Sequence, residues 1–250
     1  MNQARNQVGS LCAATAVDAA ESRSVAPVSL PIMSAAAKKP YISAHNLELK
    51  TYQGYAYRGV EIDVSPGQIA AVRGHNGSGK TALLLTLAGR MKSTGGSLMV
   101  GGFELPRQRR KVERKVGMAL FSGLNDLQDS LTAAYATAAE FELYGRSPRH
   151  EYVLNYLREW NLEDVANVRV KDLTAQKLTE LGIALAFAGE PDAVVVDDIE
   201  DQMTMSQSSE IMEMLVRTAR TRQVAVVVGV VERELAAMAD SCVFLAKEGE

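Results

Sequence analysis

The sequence predicts an α/β fold in which a mostly parallel sheet is flanked by helices, and two observations support that prediction. From residue 41 onward, short apolar runs alternate with helical segments. Residues 193–196 and 224–228 are apolar at every position, as expected of central strands covered on both faces. The composition is that of a globular domain, since 47% of the 250 residues are hydrophobic and 23% are charged.

The chain begins with an Ala- and Ser-rich segment, residues 1–40, which is predicted to be a disordered tail because it shows no sustained hydrophobic period. Charged residues interrupt any apolar stretch in it, which argues against a signal peptide. Residues 41–250 form the predicted globular domain. Their apolar runs are shorter than the roughly 18 residues that cross a bilayer. A net charge of -3 disfavours a protein that mainly neutralises nucleic acid.

Strands are predicted where β-branched and apolar residues form short runs bounded by Gly, Pro or Asn. These runs are residues 42–49, 55–64, 69–73, 97–103, 116–121, 193–197, 224–230 and 242–245. Helices are predicted from 3.6-residue spacing at residues 80–91, 131–144, 150–160, 174–189 and 206–221. The helical stretch at about residues 122–172 is predicted to be a subdomain inserted between two sheet segments.

A glycine-rich loop joins the predicted strand 69–73 to the helix that follows, and it matches the pattern G-x-x-x-x-G-K-[ST]. Glycines let the loop turn sharply and direct backbone N–H groups at a β-phosphate, with the helix N-terminus adding its dipole. Lys80 reaches the β- and γ-phosphates, and the Thr81 hydroxyl is a ligand for Mg²⁺. The predicted nucleotide-binding residues are Gly74, His75, Asn76, Gly77, Ser78, Gly79, Lys80 and Thr81.

Two aspartates, Asp197 and Asp198, follow the apolar run 193–196. A P-loop enzyme needs a carboxylate at the end of such a strand, where it holds the hydration shell of Mg²⁺. Asp197 is therefore the second predicted Mg²⁺ residue beside Thr81. The alternative is that the two aspartates only form a strand-end turn or a helix cap.

The order of these parts resembles the ABC ATPase superfamily from about residue 41 to residue 245. Residues 95–102, GGSLMVGG, are similar to the glycine-bounded strand after the family's first helix. Residues 116–121 lie where the strand before the Q-loop is found, and residues 173–177, LTAQK, occupy the place of the signature motif. The run 224–231 resembles the strand before the switch histidine.

This resemblance implies an α/β fold with an antiparallel β subdomain and an inserted helical subdomain around a P-loop sheet. It also implies ATP and Mg²⁺ as cofactors, a homo- or heterodimer with another ABC ATPase domain, and a separate membrane permease as partner. The chain would then be cytoplasmic and peripherally attached to the membrane, with no nucleic-acid partner expected. The family stacks adenine on an aromatic residue shortly before its second strand, which favours Tyr52 and leaves Tyr55 and Tyr57 open.

The sequence departs from the family's pattern where hydrolysis is concerned. Val230 stands at the switch-histidine position. Phe121 and Ser122 lie where the Q-loop glutamine would fall, and only a register shift would bring Gln128 there. In the signature motif, Ala175 and Gln176 replace the glycine pair that lets the backbone approach a partner's γ-phosphate, although Thr174 keeps a hydroxyl at the serine position.

Asp198 occupies the position of the family's general base, a glutamate, and is shorter by about one C–C bond, roughly 1.5 Å. Lys80 and Asp198 are thus the catalytic candidates, and turnover by this chain alone is predicted to be slow. The leading hypothesis is a transporter's ATP-binding subunit. The alternatives are a non-hydrolysing, nucleotide-responsive regulatory module or the degenerate half of a heterodimeric ABC ATPase. Whether ATP is hydrolysed stays open.

Overall fold

The structure is a computed structural model that describes residues 39–52 and 54–246. The predicted tail lies outside the described residues except for positions 39 and 40. The strands are β1 (Ile42–Thr51), β2 (Gly54–Val64), β3 (Ile69–Arg73), β4 (Gly95–Val100), β5 (Phe103–Leu105), β6 (Val116–Met118), β7 (Ala193–Val196), β8 (Ala225–Val230) and β9 (Ser241–Phe244). The helices are α1 (Lys80–Leu87), α2 (Arg109–Glu113), α3 (Ala133–Leu143), α4 (His150–Glu159), α5 (Ala175–Phe187), α6 (Met205–Arg222) and α7 (Arg233–Ala236).

The strands form two sheets, which confirms the predicted fold class. Antiparallel pairing gives a four-stranded sheet in the order β2-β1-β4-β5. Parallel pairing gives a five-stranded sheet in the order β6-β7-β8-β3-β9. β7 and β8 are buried at every position and lie inside the parallel sheet, as their all-apolar sequences predict.

Several predicted boundaries are wrong for identifiable reasons. The predicted strand 97–103 is a hairpin, because Gly101 and Gly102 take positive φ angles of 57° and 78° and let Val100 pair with Phe103. Helix α1 stops at Leu87 rather than at residue 91, and Gly89 follows with a φ of 74°. The short helix α7 carries too few residues to show a helical period.

A basic run at residues 107–115 contains the short helix α2, whose basic side chains are exposed to solvent. Val112 is the buried residue of this helix. Three of the cations pair with nearby carboxylates: Arg107 with Glu104, Arg109 with Glu113 and Lys115 with Asp192. The charge of the run is therefore partly neutralised within the chain.

The stretch between β6 and α5 contains α3, α4 and two short 3₁₀ turns, Glu163–Val165 and Val170–Asp172. Its aromatic side chains pack edge to face, with 5.0 Å between the ring centres of Phe141 and Tyr156. The limits of a separate helical subdomain at about residues 122–172 stay a prediction. Within the described residues, every helix is too short or too polar to cross a bilayer.

Candidate functional site

Parallel pairing brings the ends of β3, β7 and β8 to one edge of the sheet. Val72 of β3 pairs with Gly229 of β8, and Val196 of β7 pairs with Val228. The glycine-rich loop leaves β3 at this edge, and Asp197 follows β7 there. The two sequence motifs, more than a hundred residues apart, therefore meet at the carboxyl ends of the strands, where open α/β sheets bind ligands.

The backbone geometry favours glycine at each of three positions in the loop, for a different reason at each. A Cβ on Gly74 would lie 2.3 Å from the Ser78 Oγ, and one on Gly79 would lie 2.0 Å from the backbone oxygen of Ala56 in β2. Gly79 also has a φ of 94°. Gly77 has a φ of 81° with open space around the Cβ position. The loop is thus packed tightly against the domain at its two ends and open at Gly77.

Lys80 is buried at the first position of α1, with 7% of its surface exposed. Its Nζ donates hydrogen bonds to the backbone oxygens of Gly74, at 2.8 Å, and His75, at 3.2 Å. An ammonium has three donors, so one remains for a ligand. The N-cap residue Gly79 gives α1 no side-chain cap, and the first turn holds no acidic residue. The backbone N–H groups in the first turn of α1 are therefore available to an anion.

The acidic side of the site is formed by Thr81, Asp197 and Asp198. The Thr81 Oγ1 donates a hydrogen bond to the Asp197 Oδ2. The Asp197 Oδ1 is buried and lacks a hydrogen-bond partner within the described residues. Asp198 has a left-handed backbone with a φ of 45°, and its carbonyl accepts from the Asp201 N–H. The aspartates therefore form a strand-end turn, and the first of them also contacts α1.

These oxygen atoms fit Mg²⁺, which prefers one or two protein oxygen ligands and takes the rest from phosphate and water. The unpartnered Asp197 Oδ1 and the adjacent Thr81 hydroxyl are suitable donors. In the part of the chain that the structure describes, no group of three His, Cys, Asp or Glu residues is placed to hold a metal ion. An ion here would accordingly depend on a bound phosphate for part of its coordination.

The pKa values of both aspartates are raised. Burial raises the pKa of Asp197, and the charge of Asp198 adds to the rise, whereas the Thr81 hydrogen bond and Lys80 oppose it. Burial in the cleft and the charge of Asp201 raise the pKa of Asp198, whereas Lys80 and the backbone N–H of Glu200 oppose it. Both carboxylates are thus poorly solvated in the cleft, a cost that a bound cation would offset.

One open cleft brings most of the predicted site residues together. Its lining residues are Asn76, Gly77, Gly79, Lys80, Thr81, Ala82, Asp197 and Asp198. Of the other predicted loop residues, Gly74 and Ser78 are buried, and the exposed His75 contributes its backbone oxygen to the Lys80 contact. Tyr52 does not line the cleft.

The three candidate tyrosines have different environments. Tyr57 is buried and donates a hydrogen bond to the Thr86 Oγ1 at 2.7 Å, so it is a packing residue. The Tyr55 ring lies 4.9 Å from the Arg58 guanidinium and 5.5 Å from the Lys50 ammonium. Tyr52 is 95% exposed. Its ring therefore offers a large accessible face.

At the positions where the sequence departs from the family's pattern, the residues contribute to the packing and hydrogen bonding of the fold. Val230 is fully buried, and its carbonyl accepts from the Gly74 N–H at 3.1 Å. Phe121 is buried after β6, where the Asn125 side chain binds its backbone N–H. Gln128 lies in the loop that follows and does not line the cleft.

At the N-terminus of α5, the Thr174 hydroxyl caps the helix by accepting from the Lys177 N–H. The Gln176 amide donates to Glu180 and Glu210, and its oxygen accepts from Gln207 of α6. The side chain that replaces a signature glycine is thus engaged with this chain's own helices.

Two residues near the site, Gly229 and Glu200, were not among those predicted from the sequence. A Cβ on Gly229 would lie 2.6 Å from the Asp197 Oδ1, so this glycine makes room for the carboxylate. An isolated glycine in a valine-rich strand is a signal for such close approach. Glu200 binds the backbone after β8, and nothing in the sequence pattern indicates that contact.

Comparisons with known proteins agree with this geometry. The model of the ABC transporter family matches residues 57–200. The ABC transporter ATP-binding protein NatA of Bacillus subtilis is 25% identical over 193 residues, which cover 76% of this chain and 78% of NatA. The energy-coupling factor transporter ATP-binding protein EcfA1 of Mycoplasma mobile is 25% identical over 215 residues, covering 84% of this chain and 78% of EcfA1.

A solved structure supports the fold independently. The dimeric ATP-binding cassette MJ0796, bound to ADP and Pi, superposes with a TM-score of 0.70 at 21% sequence identity. The match covers 82% of this chain and 94% of that chain.

Replacing Asp197 should stabilise the ligand-free protein. Asp197→Asn removes a partly buried charge whose Oδ1 lacks a partner. The pKa of Asp197 is raised in the folded state, so the folded wild type binds a proton more tightly than the unfolded chain does. The wild type therefore loses stability as pH rises from the pKa of Asp197 in the unfolded chain to its higher pKa in the folded protein. We expect the variant to gain roughly 0.5–2 kcal/mol at neutral pH.

Denaturant unfolding across pH measures this difference, which should grow across that interval and then stay constant. Asp172→Asn, the same change at an exposed carboxylate outside the cleft, should have little effect. A less stable Asp197→Asn protein at neutral pH would contradict the assignment of uncompensated charge.

Proposed function

The chain belongs to the ABC transporter family, and from that premise we propose that it binds Mg·ATP as the ATP-binding subunit of a transporter. One observation carries the proposal: Lys80 and Thr81 at the start of α1 line the same cleft as Asp197 after β7. A phosphate anion and a hard cation require these donors and acceptors side by side.

The proposed roles follow from the geometry. Backbone N–H groups of the loop, centred on the open Gly77, bind the β-phosphate, and the Lys80 ammonium turns from the loop carbonyls toward the β- and γ-phosphates. Thr81 and Asp197 hold Mg²⁺. When bound, the ion neutralises phosphate charge and polarises the γ-phosphoryl group. The raised pKa of Asp197 returns toward its ordinary value beside such an ion.

We propose that hydrolysis by this chain alone is slow. Asp198 lines the cleft at the general-base position, but its carboxylate is one methylene shorter than the family's glutamate. The switch-histidine position holds the buried Val230, which presents no polar side chain. Displacing a reacting group by about 1 Å costs on the order of 100-fold in rate. The residues proposed to bind the phosphates thus match the family's pattern more closely than the residues proposed to activate water.

The proposed partners are a membrane permease and a second ABC ATPase domain, with the chain held at the cytoplasmic face of the membrane. NatA and EcfA1 are named as transporter ATP-binding proteins, which supports association with a permease. The dimeric structure of MJ0796 supports pairing with a second ATPase domain. Because Gln176 is bound to α6, a partner with an intact glycine pair is favoured over a second copy. A non-hydrolysing regulatory module remains the second candidate, favoured by Val230 and Asp198.

Nucleotide binding should depend on Lys80. We expect Lys80→Ala to weaken Mg·ATP about 10- to 100-fold, because it removes a charge-assisted contact to phosphate. Titration calorimetry measures the change, and Lys92→Ala, at an exposed lysine after α1, is the matched control. Unchanged affinity in a folded Lys80→Ala protein would contradict the proposed phosphate site.

Adenine recognition should depend on Tyr52. A base stacked on an aromatic ring contributes about 1–3 kcal/mol, so Tyr52→Ala should weaken ATP at least about fivefold and leave inorganic triphosphate unaffected. Tyr55→Ala, tested in the same competition assay, distinguishes the two rings. A larger loss of ATP affinity in Tyr55→Ala would transfer the role to Tyr55.

Turnover should respond to the length of the side chain at position 198. Asp198→Glu restores the missing methylene, and we expect it to raise the rate of Mg·ATP hydrolysis about tenfold or more, whereas Asp198→Asn should lower it. Phosphate release with saturating ATP measures both. A rate in Asp198→Glu at or below that of wild type would show that this carboxylate does not limit hydrolysis.

A further inference from the structure

Glu200 makes an unusual contact in the turn that follows Asp197 and Asp198. Its Oε2 accepts a hydrogen bond from the backbone N–H of Val231 at 2.5 Å, and its Oε1 accepts from the N–H of Glu232 at 2.9 Å. One carboxylate thereby binds two consecutive amides directly after β8. We call this arrangement the carboxylate clamp. Charge-assisted hydrogen bonds of this kind are about twice as strong as neutral ones.

The backbone of Glu200 is linked to the proposed site. Glu200 lies two positions after Asp198, inside the turn in which the Asp201 N–H donates to the Asp198 carbonyl at 3.4 Å. Asp198 itself has a φ of 45°, a left-handed conformation that is uncommon for residues other than glycine but more accessible to aspartate than to most. The clamp fixes Glu200 within this turn, so it restrains the backbone that holds Asp198.

The other end of the clamp lies beside the family's switch position. Val231 and Glu232 follow Val230, whose carbonyl binds the first residue of the glycine-rich loop. Arg73 at the end of β3 donates its Nε hydrogen to the Val231 carbonyl at 3.2 Å. The segment held by Glu200 is thus also attached to the strand that leads into the phosphate loop.

We propose that Glu200 is a positioning residue for the nucleotide site: by clamping the backbone after β8, it holds the turn of Asp197 and Asp198 against the phosphate loop, in a chain whose switch position is a buried valine. The proposal rests on the proposed function. Both Glu200 oxygens are engaged by amides, so Glu200 is not itself the base that orients water. Its role is exerted through Asp198 and Asp197.

The experiment uses the full chain and the variant Glu200→Gln, which preserves side-chain size but replaces one acceptor oxygen with an NH₂ group. Glu234→Gln is the control, since Glu234 is an exposed glutamate on α7 that loses the same charge. The first readout is deuterium exchange over residues 229–236 without nucleotide. The second is the ratio of ATP affinity in Mg²⁺ to that in EDTA, measured by calorimetry.

We expect Glu200→Gln to speed exchange in this segment about tenfold, and Glu234→Gln to leave it unchanged. The Mg²⁺-dependent gain in ATP affinity should fall about threefold or more in Glu200→Gln, because the Asp197 turn is loosened, while the affinity in EDTA stays near that of wild type. A purely structural cap of α7 would alter exchange and leave the Mg²⁺-dependent gain intact.

Unchanged exchange, or faster exchange with an undiminished Mg²⁺-dependent gain, would each overturn the positioning role. Equal losses of affinity in Mg²⁺ and in EDTA would also overturn it, since they indicate general damage to the loop. If wild type binds no ATP, the proposed function fails and the positioning role fails with it, whereas the exchange readout still decides whether the clamp exists.

Discussion

Parallel pairing of β3 with β8 and of β8 with β7 is the constraint on which the site depends. It places the glycine-rich loop and Asp197 at the same edge of one sheet, with β8 between them. Buried valines and alanines hold this register, so the geometry of a polar site is set by an apolar core. Gly229 of β8 then provides the space in which the Asp197 carboxylate sits.

The preserved and altered parts of the site differ in how they are built. In the proposed site, the loop, Lys80 and Thr81 would bind phosphate and Mg²⁺ through backbone geometry and the N-terminus of α1, and these features are intact. The altered positions would act on the attacking water or on a partner's nucleotide, and here their side chains serve the fold: Val230 is buried and Gln176 bonds α6. The proposed binding residues and the altered positions therefore lie in separate parts of the structure, which is consistent with the proposal that a partner supplies the missing groups.

Local patterns were sufficient to predict the parallel sheet, its central strands and the phosphate loop, because glycine spacing and all-apolar runs report directly on backbone geometry, whereas the antiparallel sheet was expected only from the resemblance to the ABC ATPase family. The hairpin at Gly101 and Gly102 was predictable in principle, since a Gly-Gly pair between apolar runs favours a two-residue turn. The Glu200 clamp was not, because its partners are backbone amides 31 and 32 positions away that carry no side-chain signal. Which tyrosine would stack on adenine likewise depends on tertiary placement, which local sequence patterns do not reveal.

We propose that one cleft, formed by the phosphate loop and Asp197, binds a Mg²⁺-bound nucleoside triphosphate. Amide NMR of the isotope-labelled full chain during titration with Mg·ATP tests the location directly. We expect saturable shifts at residues 74–81 and, when Mn²⁺ replaces Mg²⁺, selective broadening of the resonances of Thr81 and Asp197. Resonances of residues 74–81 that stay unmoved at saturating nucleotide would contradict it.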